Sequence, residues 1–582
     1  MPARRWLSVL EQREEQVFLA LTLLIGGLVG LTVVAFIVVT ERLGVRLYPS
    51  GDAAWRRLVV PVGGSLAMGY LLYRYFPDAR GSGVPQTKAA LFAREGRITI
   101  GTVFGKFFCT ATTLASGIPL GREGPSVQVG AGIASVLGRA LGLRTEKVKA
   151  LIPVGAAAAV AAAFNTPMAA VVFALEEVVG DLNAPVLGSV VLASATSWAV
   201  LRMLLGNNPL FHVPQYELVH PLEFGIYALL GIAGGVLSAA FTRLLLALRQ
   251  GFLRLPARTR WVHPVAGGVL VGLMGWFVPQ VLGVGYSYVG AALNNNMALK
   301  LMALLVVLKF FAIVVSYASG NAGGIFGPSL FLGATLGGSL GAIAHHFLPG
   351  FTATPGAYAL VGMGAVFAGI VRAPMTSVLM IFEMTRDYSV IVPLMIANLM
   401  SLFIASRLQK QPIYEALAHQ DGIHLPNTKD RQSTGQRKVF HVMRKALEVL
   451  PAQMGVGEAL EHLHSSACDP SDASLITNGG SLVGILTTRQ IQSAGNNHRS
   501  DSKNLGDLLE DSDFPHVHAD QALHLALERM SLHRLDLLPV VSRANVHELE
   551  GVVTLRDLLK AYGIERRENE AELPTYDSQN EA

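Results

Sequence analysis

Gly121-Arg122-Glu123-Gly124-Pro125-Ser126-Val127-Gln128-Val129-Gly130-Ala131 is echoed by Gly324-Ile325-Phe326-Gly327-Pro328-Ser329-Leu330-Phe331-Leu332-Gly333-Ala334. Six of the eleven positions are identical, at an offset of 203 residues. A second echo keeps the order. Pro167-Met168 with Glu176 returns as Pro374-Met375 with Glu383, at an offset of 207. Two matches in one order at nearly one offset predict a duplicated half. The pattern alone leaves open whether the halves run parallel or inverted.

The stretch around both echoes is poor in charge. Runs 17–39, 151–175, 183–201, 310–344 and 388–406 carry no Asp, Glu, Lys or Arg, and each has at least 19 residues. A bilayer span needs about 20. Only 15% of the chain is charged, against about 25% in soluble domains. The expected fold is mainly α, a polytopic membrane protein embedded in a lipid bilayer. The run from Val17 to Val39 is long for a secretory leader and lacks a small-residue cleavage site. It reads as a retained first helix behind a cytoplasmic N-terminus. Gly and Pro punctuate the runs, which predicts tilted and broken helices. Lipid tolerates such breaks only where the loosened backbone is buried or lines a cavity. Transporters build mid-membrane ion sites from them.

Charge divides the chain. Residues 1–436 hold 32 Lys+Arg and 19 Asp+Glu, and residues 437–582 hold 14 and 22. Positive loops on the inner side explain most of the first excess. The expected organisation is a transmembrane domain at 1–425, a polar linker at 426–436 and soluble α/β repeats at 437–495 and 504–565. A polar acidic tail, expected to be disordered, fills 566–582. The soluble repeat is visible as Leu482-Val483-Gly484-Ile485-Leu486-Thr487, which precedes Leu549-Glu550-Gly551-Val552-Val553-Thr554 by 67 residues. Cys109 and Cys468 make neither a disulfide framework nor a zinc site. No catalytic signature stands out, so no enzyme is expected, and no nucleic-acid partner.

An anion inside a bilayer needs partial positive charge, because a full countercharge is itself costly to bury. Helix N-termini supply it through free N–H groups and the helix dipole. Three segments fit: Gly81-Ser82-Gly83-Val84-Pro85, Gly121 to Pro125, and Gly323 to Pro328. Each sets Gly beside Pro, which suits a first helical turn, ahead of an apolar stretch. Glu123 lies at one of these starts. A carboxylate there can occupy an anion's place and, once protonated, leave it. The plainer reading pairs Glu123 with Arg122 at the membrane surface.

With Tyr414, these motifs make the chain resemble the CLC chloride channels and transporters over about residues 17–420. The resemblance implies inverted halves and a homodimer with one pore per subunit. It implies a chloride site formed by the Ser82 and Tyr414 hydroxyls and the Ile325 and Phe326 amides. It makes Glu123 the external gate and Glu177 the inner proton relay; the plainer reading of the adjacent acids is a helix end at water with both in salt bridges, and Glu176 is read as structural. Lys88 and Gln86 depart from the family pattern. Lys88 falls where some members place an acid that pairs with the lysine matched by Lys106. The soluble repeats look like a pair of CBS domains, in which Thr554 and Asp557 would hold the ribose of an adenine nucleotide; the alternative is a purely structural dimerisation module with no ligand. The expectation is a chloride/proton antiporter of the plasma (inner) membrane with both termini cytoplasmic. The alternative is a passive voltage- or proton-gated chloride channel.

Overall fold

The computed structural model describes residues 14–564 except 50–52, 183–184, 207–209, 212, 215, 217, 387, 424, 426–436, 446–448, 466–472, 496–502, 510–513, 520 and 543–544. The expected linker, the acidic tail and Cys468 lie outside the described residues. The chain divides into two compact units, residues 1–425 and 426–582.

The described elements of the first unit are helices. It opens with α1 (Glu14–Leu47), α2 (Arg56–Arg74), the short α3 (Val84–Phe92), α4 (Ile100–Ala115), α5 (Glu123–Ala140) and α6 (Thr145–Phe164). Next come α7 (Pro167–Phe173), a π-helical turn (Ala174–Val179), α8 (Leu187–Leu205), α9 (Glu223–Arg254) and α10 (His263–Phe277). The unit closes with α11 (Tyr286–Leu293), α12 (Leu299–Ala318), α13 (Phe326–Phe347), α14 (Pro355–Val371), α15 (Pro374–Thr385), α16 (Ile391–Leu408) and α17 (Ile413–Gln420). Among the described residues, seven helical stretches are long and apolar enough to cross a membrane. Large apolar side chains such as Phe104, Leu229 and Leu399 face outward, as lipid contact permits.

The charge-free runs do not map one to one onto helices. The run 151–175 spans the break between α6 and α7, and 310–344 spans the one between α12 and α13. The first break has a local cause. Asn165 ends α6 in the left-handed region, at φ 61°, and Pro167 starts α7. A left-handed residue ends a helix, and a proline is tolerated only in the first turn of the next. Arg372, at φ 66°, and Pro374 repeat the device between α14 and α15.

The halves are built alike in their packing too. A Cβ on Gly130 of α5 would lie 2.3 Å from the Gly155 carbonyl of α6. One on Gly333 of α13 would lie 2.3 Å from the Gly362 carbonyl of α14. Such close backbone contact through small residues is how helices pack in a membrane. The halves also exchange caps. Glu176 accepts from the Met375 and Thr376 amides at 3.2 and 2.8 Å, at the start of α15. Glu383 accepts from the Met168 and Ala169 amides at 3.0 and 2.7 Å, at the start of α7. This reciprocal exchange requires a two-fold relation between the halves.

The second unit repeats a smaller pattern. β1 (Leu450–Pro451), α18 (Val456–Ser465), β2 (Ala473–Asn478), β3 (Ser481–Thr487) and α19 (Thr488–Gly495) form its first part. The strands make a β1-β2-β3 sheet, with β1 parallel and β3 antiparallel to β2. α20 (Leu523–His533), the antiparallel pair β4 (Leu537–Val541) and β5 (Leu549–Thr554), and α21 (Leu555–Ala561) form the second. The Leu482 amide donates to the His547 carbonyl at 2.8 Å and joins the two parts. A shared apolar cluster of Leu475, Leu482, Phe514, Val541 and Val552 seals the joint.

The exchanged caps predict a measurable effect. Loss of an N-terminal cap costs about 0.5–2 kcal/mol. Glu176→Ala and Glu383→Ala should each lower the unfolding temperature in detergent by a few degrees, read by loss of the monodisperse peak after heating. Unchanged melting in both variants would contradict the capping role.

Candidate functional site

The three Gly/Pro segments meet. Gly121 and Gly324 exchange two backbone hydrogen bonds of 2.7 Å, so the starts of α5 and α13 lie side by side. Gly83 has φ +107°, and a Cβ on it would lie 2.1 Å from the Gly124 carbonyl. Only glycine satisfies both the angle and the contact. The loop carrying Ser82 is thereby brought against the start of α5.

Glu123 is the first residue of α5 and is fully buried. Its carboxylate turns toward the other half. One oxygen accepts the Gly327 amide at 3.2 Å, at the start of α13, and the other accepts the Tyr286 hydroxyl from α11. The plainer alternative, a surface pairing with Arg122, is not what forms. Arg122 lies 3.6 Å from Glu41 and over the Tyr286 ring at 5.6 Å. The carboxylate therefore occupies a helix N-terminus, the place where an anion is best held.

Ile325 caps α13 and Phe326 begins it, so their amides are among those with no acceptor inside the helix. Phe326 is clamped by Phe164, Phe173 and Phe367, with ring centroids at 4.8, 5.5 and 4.4 Å. The hydroxyls of Ser82 and Tyr414 are buried, and neither makes a hydrogen bond of ordinary geometry among the described residues. Tyr317 lies within reach of Ser82. α17, which carries Tyr414, packs on α3, directly after Ser82. The Tyr414 hydroxyl, buried with no partner among the described residues, fits a polar partner supplied from outside the chain, and Ser82 stands between Tyr317 and that space.

The two adjacent acids separate at the π-helical turn. Glu176 reaches α15, whereas Glu177, one residue on, is buried and pairs with Lys88 of α3 at 2.8 Å. π-turns recur at functional sites because the wider turn redirects side chains. The lysine pair expected to lack its acid is resolved in two ways. Lys88 takes Glu177, while Lys106 donates to the Ala79 and Gly81 carbonyls. Lys309 does the same for Val281 and Gly283, at 2.9 and 2.7 Å. Each lysine fixes the loop ahead of a short helix in its own half. No group of three His, Cys, Asp or Glu among the described residues is placed to hold a metal.

Tyr286 and Lys309 were missed by motif reading. Tyr286 ends a third echo, Gly81-Ser82-Gly83-Val84 against Gly283-Val284-Gly285-Tyr286, at an offset of 202, and Lys309 stands 203 residues after Lys106. In the second unit, Thr554 and Asp557 form a capping box at the start of α21, with Arg444 also bonded to Asp557. Thr487 and Gln490 make the same box at α19. The Thr-x-x-Asp pattern thus has a helix-capping use in addition to any ligand.

The family model described as voltage gated chloride channel matches residues 63–406, and that of the CBS domain matches 505–564. The H(+)/Cl(-) exchange transporter ClcA of Vibrio campbellii is 34% identical over 369 residues, covering 62% of this chain and 78% of that one. The structure of a slow cyanobacterial Cl-/H+ antiporter superposes with a TM-score of 0.64 at 27% identity, covering 69% of this chain and 97% of its own. A eukaryotic CLC transporter shares the fold, with a TM-score of 0.59 at 19% identity over 93% of this chain and 97% of its own.

The hydroxyl on Glu123 yields a prediction. A hydrogen bond to a charged group contributes about 1.5–3 kcal/mol. Tyr286→Phe loosens the carboxylate, so an anion competing for the α13 N-terminus should bind about tenfold or more tightly, since 1.4 kcal/mol is tenfold. Bromide titration by calorimetry measures this. Equal or weaker binding would contradict the competition.

Proposed function

The chain belongs to the voltage gated chloride channel family, and on that premise we propose that it exchanges chloride for protons across a membrane. The observation that carries the reading is the Glu123 carboxylate at the α13 N-terminus. Ionised, it takes the anion's place. Protonated, it loses its attraction to the amides and the dipole, and chloride takes over. One residue then alternates between the two ions, which is the minimal requirement for exchange. The names of the related H(+)/Cl(-) exchange transporter and Cl-/H+ antiporter support the coupling.

In this reading the Ser82 and Tyr414 hydroxyls and the Ile325 and Phe326 amides hold the central chloride as neutral donors. They bind without the full countercharge that would trap it. Glu177 receives protons on the inner side. The buried pair with Lys88 supports that role, because an ionisable group at that depth requires a partner. We place the protein in the inner membrane as a homodimer with both termini cytoplasmic. Residues 437–495 and 504–565 act as its regulatory CBS pair. Thr554 and Asp557 would hold the ribose of an adenine nucleotide there, Arg444 yielding the carboxylate.

Reconstituted variants test the ion roles. Glu123→Ala should abolish proton movement driven by a chloride gradient while chloride still passes, read with chloride and pH electrodes. Continued uphill proton movement in it would overturn the gate. Glu177→Ala should stop protons and leave chloride flux largely intact. Loss of both fluxes in a folded protein would make Glu177 structural. For the soluble pair, ATP, ADP or AMP should raise the unfolding temperature of the wild type and not of Asp557→Asn. No shift with any of them would remove the nucleotide.

A further inference from the structure

Lys88 is given no role of its own in the chloride and proton steps above. Its ammonium lies 2.8 Å from Glu177, and both side chains are 9% exposed. The partners come from elements 89 residues apart in sequence. α3, which carries Lys88, begins at the Ser82 loop. That loop is fixed from behind by Lys106 on the Gly81 carbonyl and from within by Gln86 on the Gly83 amide at 2.8 Å. α3 packs against α5, α6, α17 and the π-helical turn. It therefore touches the elements of Glu123, Tyr414 and Glu177 together.

We infer that Lys88 is the positioning residue that links the proton on Glu177 to the anion at Ser82 and Tyr414. The inference rests on the proposed relay role of Glu177. While Glu177 is ionised, Lys88 is neutralised by it. When a proton adds to a Glu177 oxygen, the buried Lys88 ammonium loses its partner, which is strongly unfavourable. An anion on the adjoining donors is the compensation at hand. Proton uptake thus favours chloride occupancy, and by linkage chloride favours proton uptake to the same degree. The other titratable groups around Glu177 are Glu415 and Tyr414 from α17 and Glu176 on the same turn. α6 carries its charges at the far end, on Glu146, Lys147 and Lys149, and α7 carries none. Among the described residues Lys88 is the cation acting on Glu177, so the link runs through it.

Full-length protein in liposomes tests this, with the proton-to-chloride ratio and the pH dependence of bromide affinity as readouts. Lys88→Gln should lower the ratio at least fivefold and flatten the pH dependence. Lys88→Arg should restore both by at least half. In Glu177→Gln, adding Lys88→Gln should change neither further. Lys88→Met, which keeps the apolar stem, replaces Lys88→Gln where that variant does not fold. A wild-type ratio in Lys88→Gln or Lys88→Met, with Glu177→Gln uncoupled, would overturn this inference and leave the exchange reading intact. No proton movement in the wild type would instead overturn the exchange reading and this inference with it. Equal loss in Lys88→Gln and Lys88→Arg, with both melting well below wild type, would reduce Lys88 to a structural contact.

Discussion

The Glu123 carboxylate is held by donors from the opposite half of the chain, the Gly327 amide and the Tyr286 hydroxyl. A buried carboxylate without compensation is driven to neutralise. The rest of the membrane unit can be understood as what supplies that compensation. The paired Gly121 and Gly324 backbones set the two helix starts side by side. The glycine contacts of α5 with α6 and of α13 with α14 hold each helix pair at backbone distance. The exchanged Glu176 and Glu383 caps lock one half to the other.

The duplication separates structure from chemistry. Where the halves agree, the residues build: the helix-starting prolines, the helix-ending left-handed residues, the capping acids, and Lys106 with Lys309. Where they differ, the residues carry the proposed ion roles. At the offsets of the echoes, Ser82 stands opposite Val284, Lys88 opposite Gly290, Glu123 opposite Phe326 and Glu177 opposite Met384. A two-fold frame thus holds a one-sided site, and only a one-sided site can treat its two faces differently. Phe326 shows the economy of this arrangement, since the counterpart of the proposed acidic gate is the aromatic residue whose amide faces the proposed anion.

Much of this was legible in the sequence. The Gly/Pro segments, Glu123 and the duplication were visible because each is a local pattern with a local cause. The helix breaks within charge-free runs were harder to assign, because freedom from charge reports the solvent and not the backbone path. Tyr286 and the Lys88–Glu177 pair were not foreseen. Those contacts join residues 163 and 89 positions apart, and no periodicity encodes such a meeting. Lys88 looked like a defect when weighed against Lys106 alone. It is explained once the π-helical turn sends Glu177 toward α3.

Proton movement by the purified wild-type protein in liposomes, under a chloride gradient with no pH gradient imposed, tests the central claim most directly. The account predicts uphill proton flux that reverses direction when the chloride gradient is reversed. Chloride flux without any proton flux would contradict it and would make Glu123 the gate of a passive path.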